Sequence, residues 1–148
     1  MNDKIFFDSN ILIYAYDTRD STKQNRAQEL LLKATQSQTG VLSAQVLGEF
    51  FVVVTRKIPQ PMTSSEAAEV IAELGTLEVM WLDFSLVQRA IVTQQKYGTS
   101  YWDSLIISAA ERAGCVRILS EDLNHGQLYH GIEIQNPFRQ VITGGGEV

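Results

Sequence analysis

Apolar and polar positions along the chain follow two alternating patterns. Short unbroken apolar runs at Ile5-Phe6-Phe7, Val41-Leu42, Val79-Met80-Trp81-Leu82, Val116 to Leu119 and Ile132 to Ile134 read as buried strands. Longer stretches with helical spacing separate them. From Ser21 to about Ser37, Ala27, Leu30, Leu31 and Ala34 share one face. Further helices are expected from Ile11 to Tyr16, Ala44 to about Lys57, Thr63 to about Leu74, Phe84 to Tyr97 and Tyr101 to Ala113. The punctuation agrees with these limits. Asp8-Ser9-Asn10 forms a turn and helix cap, Pro59 and Pro61 close the helix begun at Ala44, and Thr63-Ser-Ser-Glu66 fits a capping box. Gly98 and Gly114 stand where helices end.

Strands alternating with helices predict an α/β fold with a mainly parallel sheet covered by helices. In such sheets, ligands bind beyond the carboxyl ends of the strands. Four acids distant in sequence should meet at that edge. Asp8 directly follows the first strand, and Asp122 follows the Val116–Leu119 strand after a Ser-Glu step. Asp103 lies in the first turn of the helix that feeds that strand, and Glu49 lies early in the helix after the second strand.

Each acid also has an ordinary explanation. Asp8 suits a helix cap, Ser100-Tyr-Trp-Asp103 matches a capping box, and Glu121-Asp122 suits a turn. Glu49 is harder to explain this way. Val46, Val52 and Val53 are its helical neighbours, Phe50 and Phe51 are adjacent, and the helix offers no cation before Arg56. A carboxylate buried there would need a partner, and a metal ion would serve. Clustered carboxylates raise one another's pKa unless a cation is present. An oxygen-only donor set points to Mg²⁺ or Mn²⁺ rather than zinc. One ion can activate a water, and a second ~4 Å away can stabilise a departing oxygen, as phosphodiester hydrolysis requires. Asp8, at the end of the central strand, is the candidate to bridge two ions.

Composition narrows the alternatives. The 148 residues suit one domain, with the core expected over 1–140 and a flexible tail over 141–148 beginning near Gly144-Gly-Gly. A single cysteine, Cys115, excludes an intramolecular disulfide and a multi-cysteine zinc site, and it reads as core. Two histidines, His125 and His130, leave little for a histidine-based metal centre. Twelve Lys+Arg against seventeen Asp+Glu give a net charge of −5, which argues against a broad electrostatic nucleic-acid binder. It does not argue against a nuclease whose acids are neutralised by metal. No run approaches the ~20 apolar residues of a membrane span, and the start of the chain lacks signal-peptide features, so a soluble, cytoplasmic protein is expected.

Four stretches carry a family resemblance. They are Ile5-Phe-Phe-Asp8-Ser-Asn-Ile-Leu-Ile-Tyr-Ala15, Ser43-Ala-Gln-Val-Leu-Gly-Glu49-Phe, Tyr101-Trp-Asp103-Ser-Leu-Ile-Ile-Ser-Ala-Ala110 and Ile118-Leu-Ser-Glu-Asp122-Leu-Asn-His-Gly126, followed by Asn136-Pro-Phe138. In these the chain resembles the PIN-domain ribonucleases, and among them the VapC-type toxins of toxin–antitoxin pairs. The resemblance implies a single PIN-like domain with a central five-stranded parallel sheet. It implies Mg²⁺- or Mn²⁺-dependent cleavage of RNA, with the metal-binding and catalytic acids at Asp8, Glu49, Asp103 and Asp122. Asn10 and Ser120 fall at supporting polar positions. A small antitoxin that inserts into the active-site groove, and frequently a homodimer, are implied as partners.

Two rival readings stand beside it. An aspartate after strand one also occurs in α/β phosphotransfer domains, but Asn10 stands where a dehalogenase-type enzyme wants a second acid. Ser120-Glu121 likewise replaces the lysine of a receiver domain. A non-catalytic PIN-fold module that binds RNA or protein is the other. Arg56-Lys57 and the Arg19, Lys23, Arg26 group are candidates for contacting RNA backbone or simply solvated surface. Tyr14, Tyr16, Tyr101 and Trp102 suit either base stacking or packing, and His125 either substrate contact or an exposed loop.

Overall fold

A computed structural model describes residues 3–139, so the expected tail at 141–148 lies outside the described residues. In chain order the elements are β1 (Ile5–Phe7), α1 (Ser9–Tyr16), α2 (Ser21–Ser37), β2 (Gly40–Ser43), α3 (Ala44–Arg56) and α4 (Ser64–Leu74). They continue with β3 (Glu78–Met80), α5 (Phe84–Tyr97), α6 (Tyr101–Ala113), β4 (Arg117–Leu119), β5 (Leu128–Tyr129) and β6 (Ile132–Gln135). The strands form one sheet in the order β3-β2-β1-β4-β6-β5. Every pairing is parallel except the antiparallel β5–β6 edge.

The sheet has six strands rather than the expected five. The extra strand, β5, pairs with β6 through a two-residue turn at His130-Gly131, both at positive φ (51° and 80°). Such a turn matches strand twist, but His-Gly is a weaker hairpin signal than Asn-Gly. Two residues are also too few to show alternation. Trp81 and Leu82, expected in the third strand, lie beyond its end and are exposed.

Local chemistry explains the element limits. Ser43 caps α3 through the Val46 amide, and Asp20 caps α2 through the Lys23 amide. The Thr63/Glu66 capping box forms with both of its bonds, at 3.1 and 2.8 Å. Gly114 ends α6 at φ 79°, a conformation that costs other residues a clash with their own Cβ. The core collects the inner sides of β1, β2, β4 and β6 with Ile11, Leu12, Val46, Phe50, Val54, Leu105 and Ile107. The middle of α6, from Ser104 to Ala110, is continuously buried, and its Ser104, Ser108, Ala109 and Ala110 let it lie close to its neighbours.

A polar network, buried at Thr93 and Ser108 and open to solvent at Arg89 and Glu111, docks the β5–β6 turn onto α5 and α6. Thr93 donates to the Arg89 carbonyl at 3.1 Å, leaving its oxygen to accept from His130 Nε2 at 2.8 Å and Ser108 at 3.1 Å. Arg89 can then donate to His130 Nδ1 at 3.4 Å while holding Glu111 with two bonds of 2.8 Å. Burial pushes the His130 imidazole below its ordinary pKa, consistent with a neutral ring among these donors. Among the described residues no helix is long and apolar enough to cross a membrane.

The chain builds β1, β2 and β3 outward in one direction, then crosses to place β4 on the other side of β1. The strand order therefore reverses between β1 and β4, which opens a crevice at their carboxyl ends. Phe7 lies opposite Leu119 there, so Asp8 and Ser120 are the next residues on each side.

Candidate active site

Asp8 fills the crevice between β1 and β4 and is only 4% exposed. One carboxylate oxygen caps α1 by accepting from the Ser9 amide at 2.7 Å. The other accepts from the Ser120 hydroxyl at 2.8 Å and the Asn10 amide at 3.3 Å. The capping role and a place among the acids therefore coexist in one side chain. Burial pushes its pKa up to about 6; the bonds from Ser120 and Ser9 oppose the rise, and the charges of Glu49 and Asp122 add to it.

Asn10 and Ser120 join Asp8 to Asp122. The Asn10 amide also donates to Asp122 Oδ2 at 3.1 Å, and its carbonyl oxygen accepts from the Glu121 amide at 3.1 Å. The fully buried Ser120 hydroxyl accepts from the Asp122 amide at 3.1 Å and the Leu123 amide at 3.3 Å while donating to Asp8. Ser120→Ala strips three polar groups of a partner at once. It is expected to lower stability by about 1–3 kcal/mol in urea denaturation and to raise the Asp8 pKa further.

Glu49 is half-buried, with Val52 on the exposed side of α3 and Val46, Phe50 and Val54 on the buried side. The apolar composition of α3 thus overstated its burial, because not all those valines face the core. Its polar partner is Gln45, whose amide donates to Glu49 Oε2 at 3.2 Å and to the Trp102 carbonyl at 3.3 Å. Asp103 follows Trp102 in the first turn of α6. Ser100 caps α6 by accepting from the Asp103 amide at 3.0 Å. The described hydrogen bonds include no return bond from the Asp103 carboxylate, so only half of a capping box is present. The structure thus links Asp8, Asn10, Ser120 and Asp122 by hydrogen bonds. Glu49 joins them through its charge on Asp8, and Asp103 reaches the group only indirectly, across Gln45.

The donor chemistry fits a hard divalent ion. All the candidate donors are oxygens, and the charges that raise the Asp8 pKa are those of two further acids, effects a cation would reverse. Among the described residues, no three Asp, Glu, His or Cys side chains stand close enough together to chelate an ion as a group. An open groove of about 530 Å³ runs along α3 past Gln45, Glu49 and Val53 to Lys57. A larger apolar groove of about 580 Å³, between α2 and the end of α4, contains none of the candidate acids.

The less committed residues divide clearly. Tyr14 donates to Glu121 at 2.7 Å and packs edge-on against Phe138, and Tyr16 packs against Phe50, so both are structural. Trp102 is 60% exposed beside Asp103. His125 sits on the exposed loop and accepts from the Asn136 amide at 3.0 Å. Arg19, Lys23 and Arg26 pair with Asp17, Glu121 and Glu29. Cys115 is buried, its thiol pushed up to about 12 by burial. Sequence reasoning passed over Gln45 and the Lys23–Glu121 pair. The first had a weak signal in its four-residue spacing before Glu49; the second, 98 residues apart, had none.

Fold and crevice together define a parallel-sheet α/β protein with a carboxylate site at its topological switch point. The family model of the PIN domain matches residues 5–130, and the chain belongs to that family. Its structural neighbours include VapC20 of Mycobacterium tuberculosis, described as a sarcin-ricin loop cleaving toxin. It is 18% identical with a TM-score of 0.60 over 80% of this chain and 90% of that one. A toxin–antitoxin complex from Klebsiella pneumoniae is 17% identical, TM-score 0.66, covering 91% of this chain and 98% of that one. DNA-bound VapBC from Salmonella typhimurium is 16% identical, TM-score 0.65, covering 90% and 97%. At such identities the likeness establishes the fold. Among curated proteins, none matches the chain significantly in sequence.

Proposed function

We propose that this chain is a Mg²⁺- or Mn²⁺-dependent endoribonuclease and the toxin of a type II toxin–antitoxin pair. The observation that carries the reading is Asp8: a buried carboxylate at the switch point, with two other acids raising its pKa. Asp8, Glu49, Asp103 and Asp122 would supply the ligands of the ion, drawing closer around it than they stand without it, and Asn10 and Ser120 orient Asp8 and Asp122. A bound divalent ion supplies an acidified water and charge neutralisation at phosphate. Around it, Asn10 keeps Asp8 and Asp122 in register with two donated bonds, joining the buried Asp8 to the exposed Asp122, where water has access. The groove past Glu49 to Lys57 gives an RNA strand a path, with one cation at its end for a phosphate.

Solved complexes among the structural neighbours support a small antitoxin as partner. A homodimer and a cytoplasmic location belong to the same reading. Membership of the PIN family speaks against the phosphotransfer alternative. The direct test is cleavage of a pool of cellular RNAs with Mn²⁺ and with EDTA. Cleavage is expected with Mn²⁺ and none with EDTA. Cleavage that persists in EDTA would overturn the metal reading, and absence of divalent-ion uptake in calorimetry would favour the non-catalytic module.

A further inference from the structure

We propose that Gln45 is a positioning residue of the acid site, one whose amide sets the Glu49 carboxylate against the first turn of α6. The inference rests on the metal-nuclease reading above and adds a residue to it. Glu49 and Asp103 sit on different helices, α3 and α6, and are 54 residues apart in sequence, so nothing local sets their spacing. Gln45 spans the gap. Its Nε2 carries two hydrogens and uses one on Glu49 Oε2 at 3.2 Å and one on the Trp102 carbonyl at 3.3 Å. The next residue along the chain is Asp103.

The orientation of this amide is forced. Turned over, it would set its oxygen against a carboxylate and a carbonyl, two acceptors facing a third. As it stands, Gln45 Oε1 is buried and has no hydrogen-bond partner among the described residues. It is the one side-chain atom so placed among the buried polar atoms of the described residues. A buried acceptor left without a donor is unfavourable, and such exceptions call for an explanation. Packing offers little: apart from Ser43, the small cavity beside Gln45 is lined by apolar side chains such as Met80, Leu86 and Leu105, which an apolar side chain would suit as well. The amide makes sense as a clamp between the two helices that carry Glu49 and Asp103. Partners that orient metal-binding groups in this way typically influence metal affinity or activity ten- to hundredfold.

Gln45→Met keeps the side-chain length, removes the clamp and removes the unpaired oxygen. Gln45→Asn keeps an amide but is too short to reach both acceptors. Mn²⁺ binding, read from the electron paramagnetic resonance signal of free Mn²⁺, is measured alongside RNA cleavage kinetics and melting temperature. Both variants are expected to bind Mn²⁺ about tenfold more weakly and to lose kcat by a similar factor, with KM for RNA nearly unchanged. The melting temperature of Gln45→Met is expected to equal or exceed that of the wild type. Unchanged Mn²⁺ affinity and kcat in both variants would overturn the proposal. So would losses accompanied by a fall in melting temperature in both, which would mark a structural role. A wild-type protein that takes up no Mn²⁺ would instead overturn the metal-nuclease reading, and this inference with it.

Discussion

Asp8→Asn is expected to lower RNA cleavage by ~10³-fold or more while leaving the fold intact. The size follows from charge, because the substitution removes the most buried acid of the set and the one at the switch point. Loss of one electrostatic group at such a centre typically costs ~10²–10³ in rate, and loss of a metal-binding group at least as much. The intact fold follows from the capping bond. The amide oxygen of the substituted side chain can still accept from the Ser9 amide, and asparagine caps helices about as well as aspartate, although its amide nitrogen then faces the Ser120 and Asn10 donors, a local cost of about 1–2 kcal/mol. The neutral side chain also removes a charge held among other acids. Melting temperature and single-turnover cleavage with Mn²⁺ separate the two effects. Cleavage within tenfold of wild type would remove Asp8 from the chemistry.

The metal-free protein is expected to lose stability as pH rises from about 4 to about 6, on account of Asp8. Its carboxyl has an ordinary value of 3.8 and is raised to about 6 in the folded state, mainly by burial. Below 3.8 the group is protonated in both states. Between the two values the folded protein holds a proton that the unfolded chain has released, so raising the pH favours unfolding. Above about 6 the folded state carries the full cost of a buried charge, on the order of 2–3 kcal/mol. His130 acts in the opposite sense: its pKa is lowered, so it takes stability away as pH falls through its ordinary value of 6.5. The difference between wild type and Asp8→Asn isolates the Asp8 contribution. Urea denaturation in EDTA should show the variant gaining on the wild type between about pH 4 and about pH 7. Excess Mg²⁺ should restore the wild type near neutral pH, by ~2.7 kcal/mol at a hundred times its dissociation constant, and leave the variant nearly unmoved. A wild-type advantage that widens with pH in EDTA would contradict the buried-charge account.

Much of the fold was legible because helices and buried strands report themselves locally. The spacing of Ala27, Leu30, Leu31 and Ala34 marks α2, and Thr63-Ser-Ser-Glu66 marks the start of α4 with the reciprocal bonds that define it. The same local logic failed at β5, where two residues and a His-Gly turn leave no periodic signature. It also misjudged Glu49. Counting valines along α3 gives composition, whereas burial depends on which face meets the core, and Val52 does not. The capping-box match at Ser100 and Asp103 shows the same limit, for only the hydroxyl half of it forms.

By itself the sequence determined the order of the elements apart from β5, the parallel α/β class and the candidates Asp8, Glu49, Asp103 and Asp122, since each lies just after a strand or in the first half of a helix that follows the crevice edge. Helix and strand periods arise from neighbouring backbone geometry, so their traces remain in the linear order of residues. Only the tertiary structure decided how those acids are held. Asn10 reaching Asp122, Ser120 reaching Asp8, Lys23 reaching Glu121 and Gln45 joining Glu49 to the start of α6 are contacts across 57 to 112 residues. A hydrogen bond depends on distances of about 3 Å, and for residues so far apart only the packed sheet and helices set them. The burial that raises the Asp8 pKa is likewise a property of that packing.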